Sequence, residues 1–471
     1  LAARGMTPPM VAASVHTADQ LVLSAVRRAF LDAGFGTEDA DVRANATFAT
    51  GIGFLHLSDA PPDARQTAFA TRRHLRRGGI AGPLTMHRHK SKVSFTFGAR
   101  EDVMESFIHL RKGTTPRRLH ADLDGLKDDE LGRGGFTGRT ANLYRRHDPT
   151  AYRSVGPLRP VDVLSSELKP GDATDAHGAP LLMFSNADCE VSLSRRVDPM
   201  PFFVRYIDGD LLCFVHEGEG LIETEFGPLR YRRGDWVYLP KACTWRHIPD
   251  DQCTWLMIQA TDEFRVPPPG QLGRHFPFDP SQMVIPEPQP CDDGPRKDGE
   301  YEVRLVHPSV AGGPTTLYYQ HHPLDVEGWR GDNFAFTFNI ADYNVVTSNS
   351  VHLPPTVHLF MQATGVYVMN FLPKPAEGVP GTERTPWYHR NVDFDEIAFF
   401  HGGSLYGIPM PPGLISHAPQ GVHHGAPEKA RERARRKFDD YESVDWQVIA
   451  IDTRKRLVPS AEVLANDLGQ H

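Results

Sequence analysis

The sequence predicts an all-β protein made of two jelly-roll barrels, and three observations lead to this fold class. Residues 180–262 hold short apolar runs of strand length separated by turn residues, at the regular spacing of a barrel or jelly roll. Residues 263–300 are rich in Pro and Gly and predict a crossing linker. A second strand-rich half begins at Tyr301 and ends with the run 446–452. We therefore expect one barrel on each side of the linker.

Residues 1–103 differ in character from the rest of the chain. Residues 19–34 predict an amphipathic helix, because apolar side chains recur on one face. Ala/Arg/Gly-rich segments follow, and their basic cluster at residues 72–79 fits a solvated segment better than a nucleic-acid patch. We expect residues 1–103 to be a poorly ordered, partly helical extension or the product of a mis-assigned start. The expected domains after it are the N-terminal barrel half, residues 104–270, and the C-terminal barrel half, residues 271–471.

Composition argues against nucleic-acid-binding, membrane-spanning and exported classes of protein. The chain has 471 residues, 40% of them hydrophobic, with a net charge of −8, which argues against a nucleic-acid surface. There is no apolar run of about 18 residues and no apolar signal core at the N-terminus, so we expect no membrane partner and a cytoplasmic location. Five cysteines form no C-x-x-C pair and predict free thiols in a reducing compartment.

The first candidate motif ends at Gly403 and matches the first metal-binding motif of the cupin fold. That motif has the form H-x-H, three or four residues, Glu, six residues, Gly. His389 and Asn391 take the H-x-H positions, Glu396 follows after four residues, and Gly403 follows after six more. Asn391 therefore replaces the second His. This lowers the number of protein ligands from four to three, which favours an oxygen-activating site over a closed one.

The second candidate motif follows a Gly/Pro-rich turn. Its form, P-x-G-x-x-H, is matched without a gap by Pro419, Gly421 and His424. Because the two motifs are at hairpin spacing, we expect both strands to line one barrel mouth. Two imidazoles and one carboxylate can cap one face of a divalent metal and leave open positions, which suits non-haem Fe(II). The predicted metal ligands are therefore His389, Glu396 and His424.

The N-terminal half looks like a cupin without a metal. Asp208 and Asp210 stand where H-x-H would be, and Trp245 stands where the second-motif His would be. An indole cannot ligate a metal, so we expect this barrel to be structural.

The chain resembles the homogentisate 1,2-dioxygenase family, including its shorter bacterial homologues. The resemblance covers roughly residues 104–455 and is most specific from 328 to 430. It rests on Gly328-Trp329, Asn339-Ile340, Asn349-Ser350-Val351-His352, Tyr388-His389-Arg390-Asn391, Gly403-Ser404-Leu405, His424-Gly425, Glu428-Lys429-Ala430 and, in the first half, Thr224-Glu225-Phe226-Gly227.

The resemblance implies a bicupin whose C-terminal half binds Fe(II) and opens an aromatic ring with O₂. Its substrate would be homogentisate or a related dihydroxyaromatic compound, and the protein would be a homo-oligomer, a trimer or a hexamer. His389, Glu396 and His424 look like the iron ligands, with His424 also close to the substrate. Asp395 stays open as the acidic ligand, because the family's acidic ligand lies six residues after the first His. The interval to Gly403 favours Glu396.

The resemblance also implies residues that handle the substrate. His352 looks like the acid–base histidine, with His358 in the same loop as the alternative. His417 looks like a substrate contact or a residue that supports the metal, and Tyr406 is a looser candidate for substrate contact. The loop over residues 400–413 is shorter than homogentisate itself would lead one to expect, which favours a related ring.

Two other functions remain open at this stage. One is another metal-dependent cupin enzyme, an isomerase or a different oxygenase. The other is a non-enzymatic bicupin that holds a metal only for structure. Asn391 favours an enzyme, because a purely structural site would be expected to have a closed ligand set.

Overall fold

The computed structural model describes most of the chain beyond residue 109 and parts of residues 24–44. The described residues there are 110–289, 299–307, 312–350 and 357–469, apart from 118, 119, 122, 124, 136 and 137. The chain divides into two compact units, Leu1–Phe107 and Ile108–His471. Most of the expected extension, residues 1–103, lies outside the described residues.

The described part of the first unit is helical. The described residues between 24 and 32 are helical and fall within the predicted helix. A turn follows at Gly34, where φ is +90° and the N–H donates to the Leu31 carbonyl at 2.9 Å. Gly at this position is a common helix stop, because the left-handed conformation costs it little. The described residues between 37 and 44 form a second helical stretch.

The second unit consists mainly of β-strands, numbered along the chain. They are β1 (Lys127–Gly132), β2 (Thr140–Arg145), β3 (Val161–Leu164), β4 (Leu181–Ser185), β5 (Cys189–Arg196), β6 (Phe203–Tyr206), β7 (Asp210–Glu217), β8 (Gly220–Thr224), β9 (Gly227–Tyr231), β10 (Asp235–Leu239), β11 (Trp245–Pro249), β12 (Cys253–Ala260), β13 (Tyr301–Val306), β14 (Thr315–Tyr319), β15 (Phe336–Asn339), β16 (His358–Ala363), β17 (Val366–Phe371), β18 (Lys374–Pro375), β19 (Tyr388–Asn391), β20 (Asp395–Gly402), β21 (Ser404–Leu405), β22 (Ile408–Pro409), β23 (Leu414–Ala418), β24 (Ser443–Val444), β25 (Gln447–Thr453) and β26 (Val458–Pro459). The helices of this unit are α1 (Glu428–Arg436) and α2 (Ala461–Ala465), with 3-10 turns at Ser165–Glu167, Gly171–Ala173, Gly270–His275, Pro280–Gln282 and Ile340–Asp342.

The N-terminal barrel consists of two sheets packed face to face. One sheet has the strand order β15-β10-β7-β12-β5-β4-β26, and the other has the order β14-β13-β6-β11-β8-β9. Alternate side chains of β7, such as Cys213 and Val215, point between the two sheets and pack with Trp245 and Trp255. An apolar core therefore fills this barrel.

The C-terminal barrel is built on a six-stranded sheet of order β16-β17-β25-β20-β23-β3. A three-stranded sheet of order β19-β1-β2 and two short ribbons, β18-β24 and β21-β22, complete it. Strand β19, which carries His389, pairs with β1 in parallel. The hairpin β1-β2 therefore adds two strands to the sheet that contains His389. This architecture confirms the predicted all-β bicupin class.

The two barrels are packed through one continuous apolar core. The side chains of β7 that point away from the first barrel's interior, Leu212 and Phe214, meet Ile397 and Phe399 of β20 and Ile451 of β25. Strand β12 is buried along its whole length, because both of its faces are covered. Its sequence is accordingly mostly apolar rather than alternating, with Thr254 and Gln259 as buried exceptions.

Several strands cross between the halves. Strand β3 lies before the first barrel in sequence but pairs with β23 of the second. Strands β13 and β15 follow the linker but join the sheets of the first barrel, and β26 near the C-terminus pairs with β4. The sheets therefore combine strands from both sides of the expected domain boundary at residue 270. The domain boundary itself stays a prediction. Within the described residues, no helix is long and apolar enough to span a membrane.

Candidate metal centre

Three side chains meet at the mouth of the C-terminal barrel. His389 lies on β19, Glu396 lies on β20, and His424 lies in the loop that follows β23. Glu396 Oε2 is 3.7 Å from His389 Nε2 and 3.5 Å from His424 Nε2. Their potential ligand atoms all lie within 4.8 Å of one another, and no other such group occurs among the described residues. The structure thus brings together the three predicted ligands.

The orientation of both imidazoles is set by backbone carbonyls. His389 Nδ1 is 3.3 Å from the Trp387 carbonyl oxygen, and His424 Nδ1 is 3.1 Å from that of Val422. A proton on each Nδ1 satisfies these contacts, and the Nε2 atom of each ring is turned toward Glu396. His424 Nε2 is buried without a hydrogen-bond partner. This is the arrangement that metal-binding histidines adopt, so the residues present fit a divalent metal ion.

Electrostatics favour an ionised carboxylate at this position. Burial alone would raise the pKa of Glu396, but hydrogen bonds and charge from His389 and His424 outweigh it and hold that pKa well below its usual value. Burial, and next the charge of His424, lowers the pKa of His389. Burial would lower the pKa of His424, but its interaction with Glu396 outweighs burial and raises that pKa. Metal binding requires neutral imidazole and ionised carboxylate, so a metal must displace a proton from this cluster.

Asp395 lies on the opposite face of the sheet from Glu396. Its carboxylate is 2.9 Å from His417 Nε2 and accepts the backbone N–H groups of Gln420 at 3.0 Å and Leu457 at 2.9 Å. Neighbouring residues of a strand point to opposite faces. Asp395 is therefore fully engaged in the core, and Glu396 is the residue that faces both histidines.

His417 does not join the cluster. It is paired with Ile397 across β23 and β20, and Ile397 belongs to the core between the barrels. Its imidazole is buried, contacts Asp395, and lies 5.2 Å from the ring of Phe184. The predicted substrate contact is at odds with this position, because the side chain points away from the face that carries Glu396.

Tyr406 also has a structural environment. It sits at the tip of the ribbon β21-β22 with a φ of +49°, followed by Gly407 at +72°. Its hydroxyl donates to the Arg384 carbonyl at 2.5 Å, and its ring packs with Ala434. A Cβ at position 407 would lie 2.4 Å from the Tyr441 hydroxyl, so the turn requires glycine. The hydroxyl of Tyr406 is thus engaged in holding this ribbon rather than turned to the cluster.

Of the two candidate acid–base histidines, only His358 lies among the described residues. His352 lies outside the described residues. His358 begins β16, is fully buried, and its Nε2 accepts the backbone N–H of Val346 at 3.2 Å. Burial lowers the pKa of His358 to about 4. His358 thus supports the fold around it.

His423 and His424 are adjacent in sequence, but their side chains contact different residues. His423 Nε2 is 3.1 Å from Asp129 Oδ2 of β1, a carboxylate that Arg145 also contacts. Only His424 of the pair faces Glu396, as the interval from Pro419 predicts.

In the N-terminal barrel, the residues at the ligand positions have other partners. Asp210 accepts from the Tyr238 hydroxyl and from the backbone of Lys241 and Phe264. Trp245 is buried in the apolar core of that barrel.

Sequence reasoning missed two acidic residues beside the cluster. Glu130 of β1 is paired with His389 in the parallel sheet, and burial raises its pKa. Asp452 of β25 lies directly opposite Glu396, and burial, followed by repulsion from Glu396, raises its pKa well above the usual value. An acidic residue that ends the apolar run 446–452 was the available signal for Asp452.

The chain is similar to proteins named as dioxygenases. No family model matches it. A protein of Saccharolobus solfataricus named "Putative dioxygenase SSO1533" is 26% identical over 378 residues, covering 74% of this chain and 94% of the relative. Homogentisate 1,2-dioxygenase of Pseudomonas putida is 22% identical over 349 residues, covering 69% of this chain and 79% of the relative.

Two solved structures are also similar to the chain at low sequence identity. A cupin 2 conserved barrel domain protein from Leptotrichia buccalis is 9% identical, with a TM-score of 0.29, and covers 65% of this chain and 100% of its own. Protein YlbA from E. coli is 9% identical, with a TM-score of 0.30, and covers 64% of this chain and 95% of its own.

Proposed function

We propose that this protein is an Fe(II)-dependent dioxygenase that opens the aromatic ring of homogentisate or a related dihydroxyaromatic compound. The observation that carries the proposal is the convergence of His389 Nε2, His424 Nε2 and Glu396 Oε2 on one small volume at a barrel mouth. The relatives named as dioxygenases support the oxygenase chemistry. Iron held by two imidazoles and one carboxylate would supply the redox chemistry by which O₂ reacts with an organic substrate.

The three donors have distinct tasks in this proposal. The imidazoles bind through Nε2, because their Nδ1 atoms are engaged by the carbonyls of Trp387 and Val422. The ionised Glu396 supplies one negative charge, which leaves the site open to a second anionic group such as a phenolate. Since only three protein ligands are available, positions remain for small molecules.

A base is needed to remove the phenolic proton of the substrate. We assign this task to His352, following the resemblance, because a group that titrates near neutral pH suits it. His417 and His358 are poor alternatives, since both imidazoles are buried in contacts that hold the fold together.

The test is an anaerobic Fe(II) titration followed by measurement of oxygen uptake. The protein is loaded with iron and mixed with a panel of dihydroxyaromatic acids that differ in ring position and side-chain length. We expect one iron per chain, one O₂ consumed per substrate, and both atoms of ¹⁸O₂ recovered in a ring-opened product. Iron binding without oxygen uptake on any ring would indicate a structural metal, and turnover without oxygen uptake would indicate an isomerase.

The resemblance also leads us to propose a homo-oligomer, a trimer or a hexamer. Light scattering of the purified protein measures the mass of the assembly directly. A monomer would contradict this part of the proposal and leave the iron chemistry untouched.

A further inference from the structure

Asp452 occupies a central position beside the candidate metal centre. It lies on β25, an inner strand of the six-stranded sheet, and is paired with Glu396 on one side and Tyr367 on the other. Residues directly opposite each other in an antiparallel pair project to the same face, with Cβ atoms about 4.5–5.5 Å apart. The carboxyl groups of Asp452 and Glu396 are therefore neighbours on the inner face of the barrel.

The carboxyl group of Asp452 is buried without a full set of partners. The residue is 4% exposed, and its Oδ1 has no hydrogen-bond partner among the described residues. Asp395, on the other face of the same sheet, shows the contrast, because its two oxygens receive contacts from His417, Gln420 and Leu457. The surroundings of this sheet thus supply hydrogen-bond partners to the buried carboxylate of Asp395, but among the described residues they supply none to Oδ1 of Asp452.

This arrangement is unfavourable for the protein alone. The carboxyl group of Asp452 lies opposite that of Glu396 in the sheet, and a buried polar atom without a partner is unfavourable. Buried polar groups are almost always paired, and Oδ1 of Asp452 is placed to accept a hydrogen bond from a ligand beside Glu396. A ligand bound by the three donors must balance the charge of Glu396 and offer a hydrogen-bond donor to Asp452.

A hydrated divalent cation meets both requirements. Asp452 is not part of the three-residue group whose ligand atoms lie within 4.8 Å of one another, so it is a neighbour of Glu396 and not one of the donors. A water molecule that accompanies a cation bound by the three donors can donate to a carboxylate in that position. Residues that orient ligands or bound water from this distance typically change metal affinity 10- to 100-fold when replaced.

We propose that Asp452 is a positioning residue of the metal centre, whose Oδ1 accepts a hydrogen bond from water that accompanies a cation bound by the three donors. The inference rests on the metal site of the proposed function. It goes beyond that site by assigning a fourth residue, from a separate strand, that the ligand motifs do not contain.

The test compares Asp452→Asn with Asp395→Asn, two neutral replacements of nearly unchanged shape on opposite faces of one sheet. Two quantities are measured for each full-length variant: the dissociation constant for Fe(II) by anaerobic competition with a chelator, and the thermal midpoint of the metal-free protein. Neither readout depends on turnover, and the two variants are expected to behave in opposite ways.

For Asp452→Asn we expect iron binding to weaken by about tenfold or more. The thermal midpoint of the metal-free protein should stay equal, because Oδ1 of Asp452 makes no hydrogen bond to the described residues that the replacement could remove. For Asp395→Asn we expect the midpoint to fall and the iron affinity to stay within about twofold, since Asp395 contacts His417, Gln420 and Leu457 and none of the three donors.

Three outcomes would overturn the inference, and they are distinguishable. Unchanged iron affinity in Asp452→Asn, with wild-type iron binding intact, rejects the role of Asp452 alone. A lower thermal midpoint of metal-free Asp452→Asn with unchanged affinity identifies an ordinary structural hydrogen bond. Failure of the wild-type protein to bind any divalent cation rejects the proposed function and this inference with it.

Discussion

The backbones of His389 and His424 are locked together, each N–H donating to the carbonyl of the other at 3.0 and 3.1 Å. This bridge joins the end of the β1-β19 pair to the loop after β23, and it sets the two imidazole rings 4.0 Å apart. Because the backbone fixes this spacing, the two nitrogen donors are preorganised before any ion arrives.

His424→Ala should abolish iron binding, because two remaining donors hold Fe(II) poorly. The matched control is His423→Ala, which removes the neighbouring imidazole that contacts Asp129 instead of Glu396. Iron content per chain, measured after anaerobic loading and desalting, distinguishes the two. Full iron occupancy in His424→Ala, or loss of iron in His423→Ala with the fold intact, would contradict the ligand assignment.

Glu396→Gln and Asp395→Asn should separate binding from folding. Glu396→Gln should lose iron while keeping the fold, since Glu396 faces the two imidazoles. Asp395→Asn should keep most of its iron and lose about 1–3 kcal/mol of unfolding free energy, the scale for weakening buried hydrogen bonds. Urea unfolding and iron content are measured on both proteins. The reverse pattern would show that the acidic ligand is Asp395.

The packing of the two barrels should be sensitive to acid through His216 and His401. Their Nδ1 atoms are 2.9 Å apart, and both side chains are buried. Burial, more than the nearby charges, lowers the pKa of His216 to about 4 and that of His401 to about 3. Both are therefore neutral in the folded protein at pH values where an unfolded histidine, with a pKa of about 6.5, already binds a proton.

The sign of the effect follows from linkage. The unfolded chain binds more protons than the folded one below about pH 6.5, so stability falls as the pH drops from there toward 4. His401→Asn keeps a side chain that can bond to His216 but removes one titrating group, and it should show a shallower decline. Thermal midpoints of the metal-free proteins between pH 7.5 and about 4.5 measure the slope. Equal slopes in both proteins would exclude His401 as a contributor.

His352→Phe should separate proton transfer from metal binding. Replacement should preserve iron content and thermal midpoint and lower kcat by about a hundredfold or more, the scale for losing acid–base assistance. His358→Phe is the comparison, since His358 accepts the Val346 N–H within the core and its loss should lower the thermal midpoint. A normal rate for His352→Phe would move the base to another group.

The candidate site was largely predictable from the sequence because its spacing is local. His389 and Glu396 are seven residues apart on strands that are consecutive in the chain, and Pro419, Gly421 and His424 define one turn. Motif intervals of this length depend on the local path of the chain, so an error in the larger topology does not change them.

Other features of the site depend on which face of a strand carries a side chain, and on pairing between strands that are far apart in sequence. The sequence leads us to expect His417 at the substrate or in support of the metal, but a strand reverses face at every residue, so a shift of one position decides between pocket and core. Asp452 stands opposite Glu396 only because β25 pairs with β20. The exchange of β3, β15 and β26 between the halves has the same origin, since strand order in a sheet leaves no local signal in the chain.

The exchanged strands have a consequence for synthesis of the protein. The ribosome releases the first barrel's central strands early, but their sheet lacks β15 until residue 339 and lacks β26 until residue 459. Until those strands are synthesised, the unpaired edge strands of the sheet can pair with other chains. The nascent N-terminal barrel must therefore remain incomplete until residue 459 has emerged, and assembly of both barrels becomes a shared event.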